Sequence, residues 1–215
     1  MVPIYVISGL GADERVFQQV NFAGNPVTFI KWEHPEGTSM SSYATKLLKQ
    51  IREPKPILIG LSFGGMMAIE IAKQIDVQQL ILIASVKTRS ELPFYYKFAG
   101  YLKLHKLLPV SVLKSSNHLS NWFFGASNAH EKEILKLVLK DTDPVFLKWA
   151  INEIVRWKNE GYPTNIIHIH GSNDRILPIR NIKYDYKIDG AGHLMTLNKA
   201  REIDAIMAEV LQHEK

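Results

Sequence analysis

Short runs of apolar residues recur along most of the chain and predict the strands of a parallel sheet. Most of the runs are continuously apolar rather than alternating, which is typical of strands that are buried on both faces. Six strands are predicted: Pro3–Ser8, Val27–Lys31, Pro56–Leu61, Gln79–Ala84, Asn165–His170 and Lys183–Ile188. Because helical patterns alternate with these runs, the sequence predicts an α/β fold with right-handed crossovers.

Apolar residues at helical spacing predict helices between and after these strands. Outside the middle of the chain the predicted helices are Asp13–Gln19, Ser41–Arg52, Phe63–Ile75 and Asn198–His213. Ser41 and Ser42 are candidate N-caps of the second helix, because a serine hydroxyl accepts a hydrogen bond from a free backbone N–H.

One long interval, about residues 87–160, has helical patterns but no strand pattern. The helices predicted there are Pro93–Leu108, Val110–Phe124, Ala129–Leu139 and Pro144–Lys158. No linker rich in Gly, Ser or Pro isolates the interval. The sequence therefore predicts a single domain over 1–215, with a helical insertion between two sheet strands at about 87–160.

The aromatic residues of this insertion can have either of two structural roles. They can pack the insertion onto itself, which we expect of most of them, or a few can line an acyl pocket. The residues concerned include Trp122, Phe123, Phe124, Trp149 and Trp157.

Composition and charge narrow the function classes. The chain has 215 residues, a formal charge of +5 and no cysteine, which excludes disulfides, thiolate metal sites and a cysteine nucleophile. The basic residues are spread out, so no nucleic-acid partner is expected. Residues 87–114 contain six basic residues and one acidic residue. A solvated face is the simplest interpretation, and attraction of an anionic substrate or an acidic lipid surface is the alternative.

The hydrophobic stretches give no reason to expect an integral membrane segment. The uncharged stretch from Pro56 to Ile69 is too short to span a bilayer. The first residues lack a basic region and resemble a strand more than a signal peptide, so a cytoplasmic protein is expected. The sequence leaves the oligomeric state open.

Candidate chemistry begins at Gly60-Leu61-Ser62-Phe63-Gly64, between a predicted strand and a predicted helix. A serine at the apex of such a turn is exposed, and the glycines two residues before and after it let strand and helix pack closely. The helix N-terminus supplies free N–H groups where negative charge develops. In this context the motif predicts a nucleophile elbow.

A base and an acid are expected downstream of Ser62, and both occur after strands. Asp174 follows the fifth predicted strand, and His193 lies in a glycine-flanked loop after the sixth. Because the carboxyl ends of parallel strands share one edge, Ser62, Asp174 and His193 are predicted to meet there as a catalytic triad. The backbone N–H groups of Leu10 and Phe63 are predicted to form the oxyanion hole.

Other polar residues have simpler interpretations. Asp13 and Glu14 are expected to be charges at a helix N-terminus rather than substrate contacts, and Glu91 is a weak alternative to Asp174 as the acid. His168 and His170 alternate on one strand at a spacing that metal ligands also use, but without a third ligand nearby they are expected to be strand histidines.

The chain resembles the α/β-hydrolase superfamily. The resemblance rests on Gly60-Leu61-Ser62-Phe63-Gly64, His170-Gly171-Ser172-Asn173-Asp174 and Gly190-Ala191-Gly192-His193 and extends over the whole chain. It implies a mostly parallel six-stranded sheet of order 2-1-3-4-5-6, flanked by helices and lacking the family's two-stranded N-terminal hairpin. It also implies a helical cap after the fourth strand and the roles of nucleophile, acid and base for Ser62, Asp174 and His193. The first oxyanion loop has Ser8-Gly9 where many members have His-Gly.

The sequence thus predicts a metal-independent, cofactor-free serine esterase acting on a small or medium carboxylic ester or thioester. Two alternatives stay open because the fold serves many functions. One is a C–C bond hydrolase or lyase with the same triad, and the other is a non-catalytic protein that binds a small ligand.

Overall fold

The computed structural model describes residues 3–212, and within them six strands form one parallel sheet of order β2-β1-β3-β4-β5-β6. The strands are β1 (Ile4–Ile7), β2 (Val27–Ile30), β3 (Ile57–Leu61), β4 (Gln79–Ile83), β5 (Ile166–Gly171) and β6 (Tyr186–Ile188). The predicted fold class and strand order are confirmed. Since β1 lies between β2 and β3, the chain reverses its winding direction there, and the carboxyl ends of β1 and β3 leave a crevice.

The helices outside the insertion are α1 (Met40–Leu47), α2 (Phe63–Ala72), α8 (Met195–Asn198) and α9 (Ala200–Gln212). The predicted capping residues of α1 are wrong, because Ser39 lies at the N-cap and its hydroxyl accepts a hydrogen bond from Ser42 N. The segment predicted as Asp13–Gln19 is only a 3-10 helix, Glu14–Phe17. His213, the predicted end of the last helix, lies outside the described residues.

Five α-helices lie between β4 and β5 among the described residues, where the sequence predicts four helices. They are α3 (Phe94–Tyr101), α4 (Val110–Leu113), α5 (His118–Phe124), α6 (Ala129–Asp141) and α7 (Pro144–Arg156). The predicted helix Val110–Phe124 is in fact two helices, because Asn117 and Ser120 form a capping box that begins α5. Pro93–Leu108 is likewise interrupted at Lys103, whose φ is 57°.

Two apolar layers bury the sheet, one on each face. On one face, strand residues such as Val6 and Ile59 pack against α6 and α9. On the other face, Ile7 and Leu58 pack against α1, α2 and α7. This double coverage is why the central strands β1 and β3 are continuously apolar, whereas the edge strands β2 and β6 also carry exposed polar residues. Among residues 3–212, no helix is both long and apolar enough to cross a membrane.

Candidate active site

Ser62 lies at the turn between β3 and α2 in a strained backbone conformation. Its φ is 52° and its ψ is −119°, a region that non-glycine residues rarely adopt, and such strain costs on the order of 1–3 kcal/mol. The Ser62 N–H donates to Ile83 O at 2.9 Å, and its carbonyl accepts from Ser85 Oγ at 2.7 Å. Strand β4 therefore holds the strained residue in place and directs its side chain to the sheet edge.

The glycines of the pentapeptide are required by two close backbone approaches. A Cβ on Gly60 would lie 2.4 Å from Gly65 Cα, and a Cβ on Gly64 would lie 2.2 Å from the carbonyl oxygens of Ile7 and Ser8. No such contact is tolerated without a backbone shift. The first glycine thus lets α2 begin directly behind β3, and the second lets α2 pack against β1.

The structure brings Ser62, His193 and Asp174 together. His193 Nε2 lies 2.8 Å from Ser62 Oγ, and His193 Nδ1 lies 2.8 Å from Asp174 Oδ2. Both are hydrogen-bond distances. Asp174 and His193 are buried, while Ser62 is partly accessible. The three side chains come from loops after β3, β5 and β6, at the edge where the sequence places them.

The carboxylate of Asp174 is held by the backbone as well as by His193. Its Oδ1 accepts hydrogen bonds from Ile176 N at 2.9 Å and Leu177 N at 2.8 Å. Burial raises the pKa of this carboxyl, but the charge interaction and hydrogen bond with His193, helped by His170, outweigh burial and leave the pKa below its usual value. The side chain is therefore a fixed acceptor for the N–H at His193 Nδ1.

His170 lies behind Asp174 and belongs to a second buried pair with His168. His170 Nε2 lies 2.8 Å from Leu177 O and 3.6 Å from Asp174 Oδ2, and His170 Nδ1 lies 3.3 Å from His168 Nε2. Burial lowers the pKa of both imidazoles, most strongly that of His168. The pair is hydrogen-bonded within the core, which agrees with the interpretation of these residues as strand histidines.

The loop after β1 brings Leu10 to the crevice beside Ser62. A Cβ built on the adjacent Gly9 would lie 3.7 Å from Ser62 Cβ, so this loop is in contact with the elbow. Trp32, which follows β2, donates from its indole Nε1 to Gly9 O at 3.1 Å and stacks on the ring of Phe63 at 5.4 Å. Among the described residues, the N–H groups of Leu10 and Phe63 form no hydrogen bond with another protein group.

Helix α5 contacts the loops that carry the acid and the base. Leu194 N donates to Phe124 O at 3.0 Å, and the ring of Phe124 lies 5.9 Å from the His193 ring. Arg175, next to Asp174, donates to Trp122 O at 2.7 Å and lies over the Trp122 ring. The insertion therefore touches the edge of the sheet where the three side chains meet.

The remaining sequence candidates have structural partners elsewhere. Asp13 caps the 3-10 helix and pairs with Arg15 at 2.7 Å. Glu91 is buried and accepts hydrogen bonds from Lys87 N and Lys183 N. Glu14 lies in the first turn of the same 3-10 helix that Asp13 caps.

Comparison with solved structures reveals the same architecture in several enzymes. A meta-cleavage product hydrolase from Pseudomonas fluorescens IP01 matches with a TM-score of 0.71 and 15% identity, covering 100% of this chain and 92% of its own. An esterase from Thermogutta terrifontis matches at 0.70 and 16%, covering 99% and 90%. A bromoperoxidase from Bacillus anthracis matches at 0.67 and 16%, covering 98% and 92%. The chain has the α/β-hydrolase fold. No protein-family model and no curated protein matches the sequence.

Two residues of the candidate site escaped the sequence analysis. Trp32 anchors the Leu10 loop, and Ser85 fixes the Ser62 carbonyl. Trp32 and Ser85 each come just after a predicted strand, so the rule that strand ends share one edge identifies both as neighbours of the site. The sequence analysis interpreted His170 as a strand histidine and did not predict its position 3.6 Å from Asp174 Oδ2.

Proposed function

We propose that the protein is a serine hydrolase that cleaves a small or medium carboxylic ester or thioester through an acyl-enzyme on Ser62. The observation that carries the proposal is the continuous hydrogen-bonded series from Ser62 Oγ through His193 to Asp174, with 2.8 Å at each step. A hydroxyl, an imidazole and a carboxylate in this order are the parts that nucleophilic acyl transfer requires.

In the first half-reaction, Ser62 Oγ attacks the carbonyl carbon while His193 Nε2 accepts the hydroxyl proton. The imidazolium that forms is stabilised by the Asp174 carboxylate at Nδ1. His193 then donates the proton from Nε2 to the departing alkoxide or thiolate. The C–O or C–S bond breaks, the alcohol or thiol leaves, and the acyl group stays on Ser62.

In the second half-reaction, water takes the place of the alcohol. His193 Nε2 removes a proton from the water as its oxygen attacks the acyl carbon. The bond to Ser62 Oγ then breaks, and the serine recovers the proton from His193. The carboxylic acid is released, and the three side chains return to their starting protonation states.

The Leu10 and Phe63 N–H groups are assigned to the oxyanion that forms in both half-reactions. Their support is their position beside Ser62 and their lack of a protein acceptor among residues 3–212. One such donor contributes about 3 kcal/mol of transition-state stabilisation. The Phe63 N–H also lies at the first turn of α2, where the helix dipole favours negative charge.

The helical insertion is assigned the role of a cap, within a single domain. Its support is the contact of α5 with the loops of Asp174 and His193, through Phe124 and Trp122. Trp149 and Trp157 are buried in the core, whereas Phe124 lies beside the base, with its ring 5.9 Å from the His193 ring.

Active-site labelling tests the proposed nucleophile. A fluorophosphonate probe is expected to label the wild-type protein and the Ser41→Ala variant, which lacks an exposed serine on α1, but not Ser62→Ala. Absence of labelling in the wild type, together with no hydrolysis of p-nitrophenyl acetate, contradicts the proposal and favours the non-catalytic ligand binder.

A panel of p-nitrophenyl esters of increasing acyl length then tests the substrate class and the base. Wild-type rates are expected to peak at short or medium chains, and His193→Ala is expected to abolish turnover. Equal rates for wild type and His193→Ala refute the assigned base. Labelling of Ser62 without hydrolysis of any ester or thioester favours the C–C bond hydrolase or lyase, the alternative that the likeness to the meta-cleavage product hydrolase supports.

A further inference from the structure

The helical insertion carries most of the exposed apolar surface of the protein. Fifteen large apolar side chains are exposed among the described residues, and twelve of them lie within residues 94–123. Tyr101 is 83% exposed, Leu107 78% and Phe94 74%. Single exposed apolar residues are normal, but a concentration of them in one segment marks an interaction site. We call this segment the apolar face.

Helix α3 presents its aromatic residues to solvent in a fixed direction. Phe94, Phe98 and Tyr101 are spaced four and three residues apart, which puts them on one side of the helix, and all three are more than half exposed. The opposite side is held against α7, where a Cβ on Gly100 would lie 2.5 Å from Val155 O. The aromatic stripe is therefore turned outward by a close helix contact.

The charge of this region is entirely positive. Residues 92–130 contain four lysines, no arginine and no acidic residue, so this segment has a formal net charge of +4, while the whole chain has a formal net charge of +5. Lys103 and Lys106 are exposed among the leucines of the apolar face, and Lys97 lies on α3 beside the aromatic stripe. Aromatic and leucine side chains interspersed with lysines are the composition of surfaces that rest on anionic lipid.

We infer that the apolar face docks the protein onto bilayers that contain anionic phospholipid. The aromatic and leucine side chains enter the boundary between headgroups and acyl chains, and the lysine ammonium groups remain at the depth of the phosphates. A second copy of the chain is a poorer occupant, because a symmetric contact of this face brings lysines against lysines with no carboxylate between them. The inference goes beyond the proposed hydrolase activity and does not depend on it.

Vesicle sedimentation with the full chain tests the inference. Vesicles of phosphatidylcholine and phosphatidylserine in equal parts are expected to bind the wild-type protein, more weakly as salt is added, and vesicles of phosphatidylcholine alone much less. Replacing Lys97, Lys103 and Lys106 together by Gln is expected to weaken binding at least about tenfold. Phe94→Ser, Phe98→Ser and Tyr101→Ser combined are expected to weaken it by a similar factor.

Matched controls separate this face from the rest of the surface. Lys132, Lys136 and Lys140 are exposed on α6, and their joint replacement by Gln removes the same charge elsewhere in the insertion. Val145, Tyr162 and Tyr184 are the exposed large apolar residues outside the face among those described, and their joint replacement by Ser is the apolar control. Both control variants are expected to bind as the wild type does. Equal weakening in controls and test variants contradicts the inference.

Tryptophan fluorescence tests the same inference with a single substitution. Trp122 is 53% exposed on α5, so its emission is expected to shift to shorter wavelength when anionic vesicles are added to the wild type, and the shift is expected to be absent in Trp122→Phe. No binding of wild type to anionic vesicles overturns the inference. A wild-type dimer in solution that the Phe94, Phe98 and Tyr101 replacements convert to monomer also overturns it, because a second copy then covers the face. Esterase activity is not a readout in either experiment, so these outcomes are separate from those for the proposed function.

Discussion

At the scale of single residues, the candidate site depends on a few backbone positions where a side-chain atom or a hydrogen bond determines whether the turn at Ser62 can form. Ser62 tolerates a φ of 52° because hydrogen bonds from β4 and Ser85 hold its backbone on both sides. Position 64 requires glycine because the carbonyl oxygens of Ile7 and Ser8 occupy the space that a Cβ would need. The residues of the sequence motif therefore satisfy specific steric requirements, and each requirement can be tested with its own substitution.

Gly64→Ala is expected to destabilise the fold by about 3 kcal/mol or more, because the new Cβ would lie 2.2 Å from two carbonyl oxygens and forces α2 away from β1. Gly161→Ala is the control, since that glycine has no atom within 4 Å of its built Cβ and no positive φ. The control is expected to be neutral or more stable by about 0.5 kcal/mol. Urea unfolding measures both, and equal free energies of unfolding for the two variants would show that the close contact is not a constraint.

Asp174→Asn is expected to lower kcat by about ten-thousand-fold while leaving the fold intact. The amide oxygen of the new side chain can still accept from Ile176 N and Leu177 N, as Asp174 Oδ1 does. The amide nitrogen, however, donates to His193 Nδ1 and leaves the proton on Nε2, so the imidazole cannot accept the Ser62 proton. Asp189→Asn, at an exposed residue near the His193 loop, is the control. Unchanged kcat in Asp174→Asn would remove this carboxylate from the mechanism.

At the scale of elements, the strand ends bring the site together, and one aromatic side chain links two of them. Trp32 follows β2 and holds the loop after β1 through Gly9 O. Trp32→Phe keeps an aromatic ring beside Phe63 and Phe146 but removes that hydrogen bond. Because the loop carries the Leu10 N–H, kcat is expected to fall roughly ten- to a hundredfold with little change in KM.

Trp149→Phe is the matched control for this prediction. Trp149 also donates its indole N–H to a backbone carbonyl, Thr38 O at 2.7 Å, and it packs against the same Phe63 and Phe146 rings. Its replacement is expected to reduce stability without lowering kcat, because Thr38 is not part of the Leu10 loop. Steady-state kinetics on both variants decides between anchoring of the loop and general packing: equal effects on kcat would favour packing.

The elements themselves follow from the sequence to different degrees. Most of the strands are predictable because burial on both faces leaves apolar runs, and strand ends identify Ser62, Asp174 and His193. The strand order is implied by the resemblance to the α/β-hydrolase superfamily and not by the apolar pattern. Helix ends in the insertion are less predictable, because they are determined by capping hydrogen bonds and by the backbone conformation of single residues. Asn117 and Ser120 form a capping box where apolar residues continue, and Lys103 adopts a left-handed conformation without glycine. Contacts between distant loops, such as Trp32 with Gly9, have no periodic signal at all.

At the scale of the whole molecule, the pair His168 and His170 couples the fold to pH. Both side chains are fully buried, and burial lowers their pKa below the ordinary value of 6.5. In their neutral forms the two side chains satisfy these hydrogen bonds as follows: His170 Nε2–H donates to Leu177 O, and His168 Nε2–H donates to His170 Nδ1. In the unfolded chain the same groups titrate near pH 6.5.

The free energy of unfolding is therefore expected to fall as the pH drops below about 6.5, because the unfolded chain then binds protons that the folded protein excludes. Each neutral histidine contributes a slope of up to about 1.4 kcal/mol per pH unit until its folded pKa is reached. Asp174 acts in a lower window: its depressed pKa gives stability that is present above the unfolded value of 3.8 and lost as the pH falls through the folded value.

Urea unfolding between about pH 7.5 and pH 5 separates these contributions. The wild type is expected to lose stability steadily over this range, and His168→Gln, which removes one of the two excluded protons, is expected to have a shallower slope. His34→Gln is the control, because it removes a histidine that is exposed and lies outside the core. A wild-type stability that stays level down to pH 5 would mean that the buried pair accepts protons in the folded state. The assignment of neutral forms to His168 and His170 would then be wrong. The Asp174 carboxylate would lie between a protonated His170 and the His193 imidazolium that forms during the reaction.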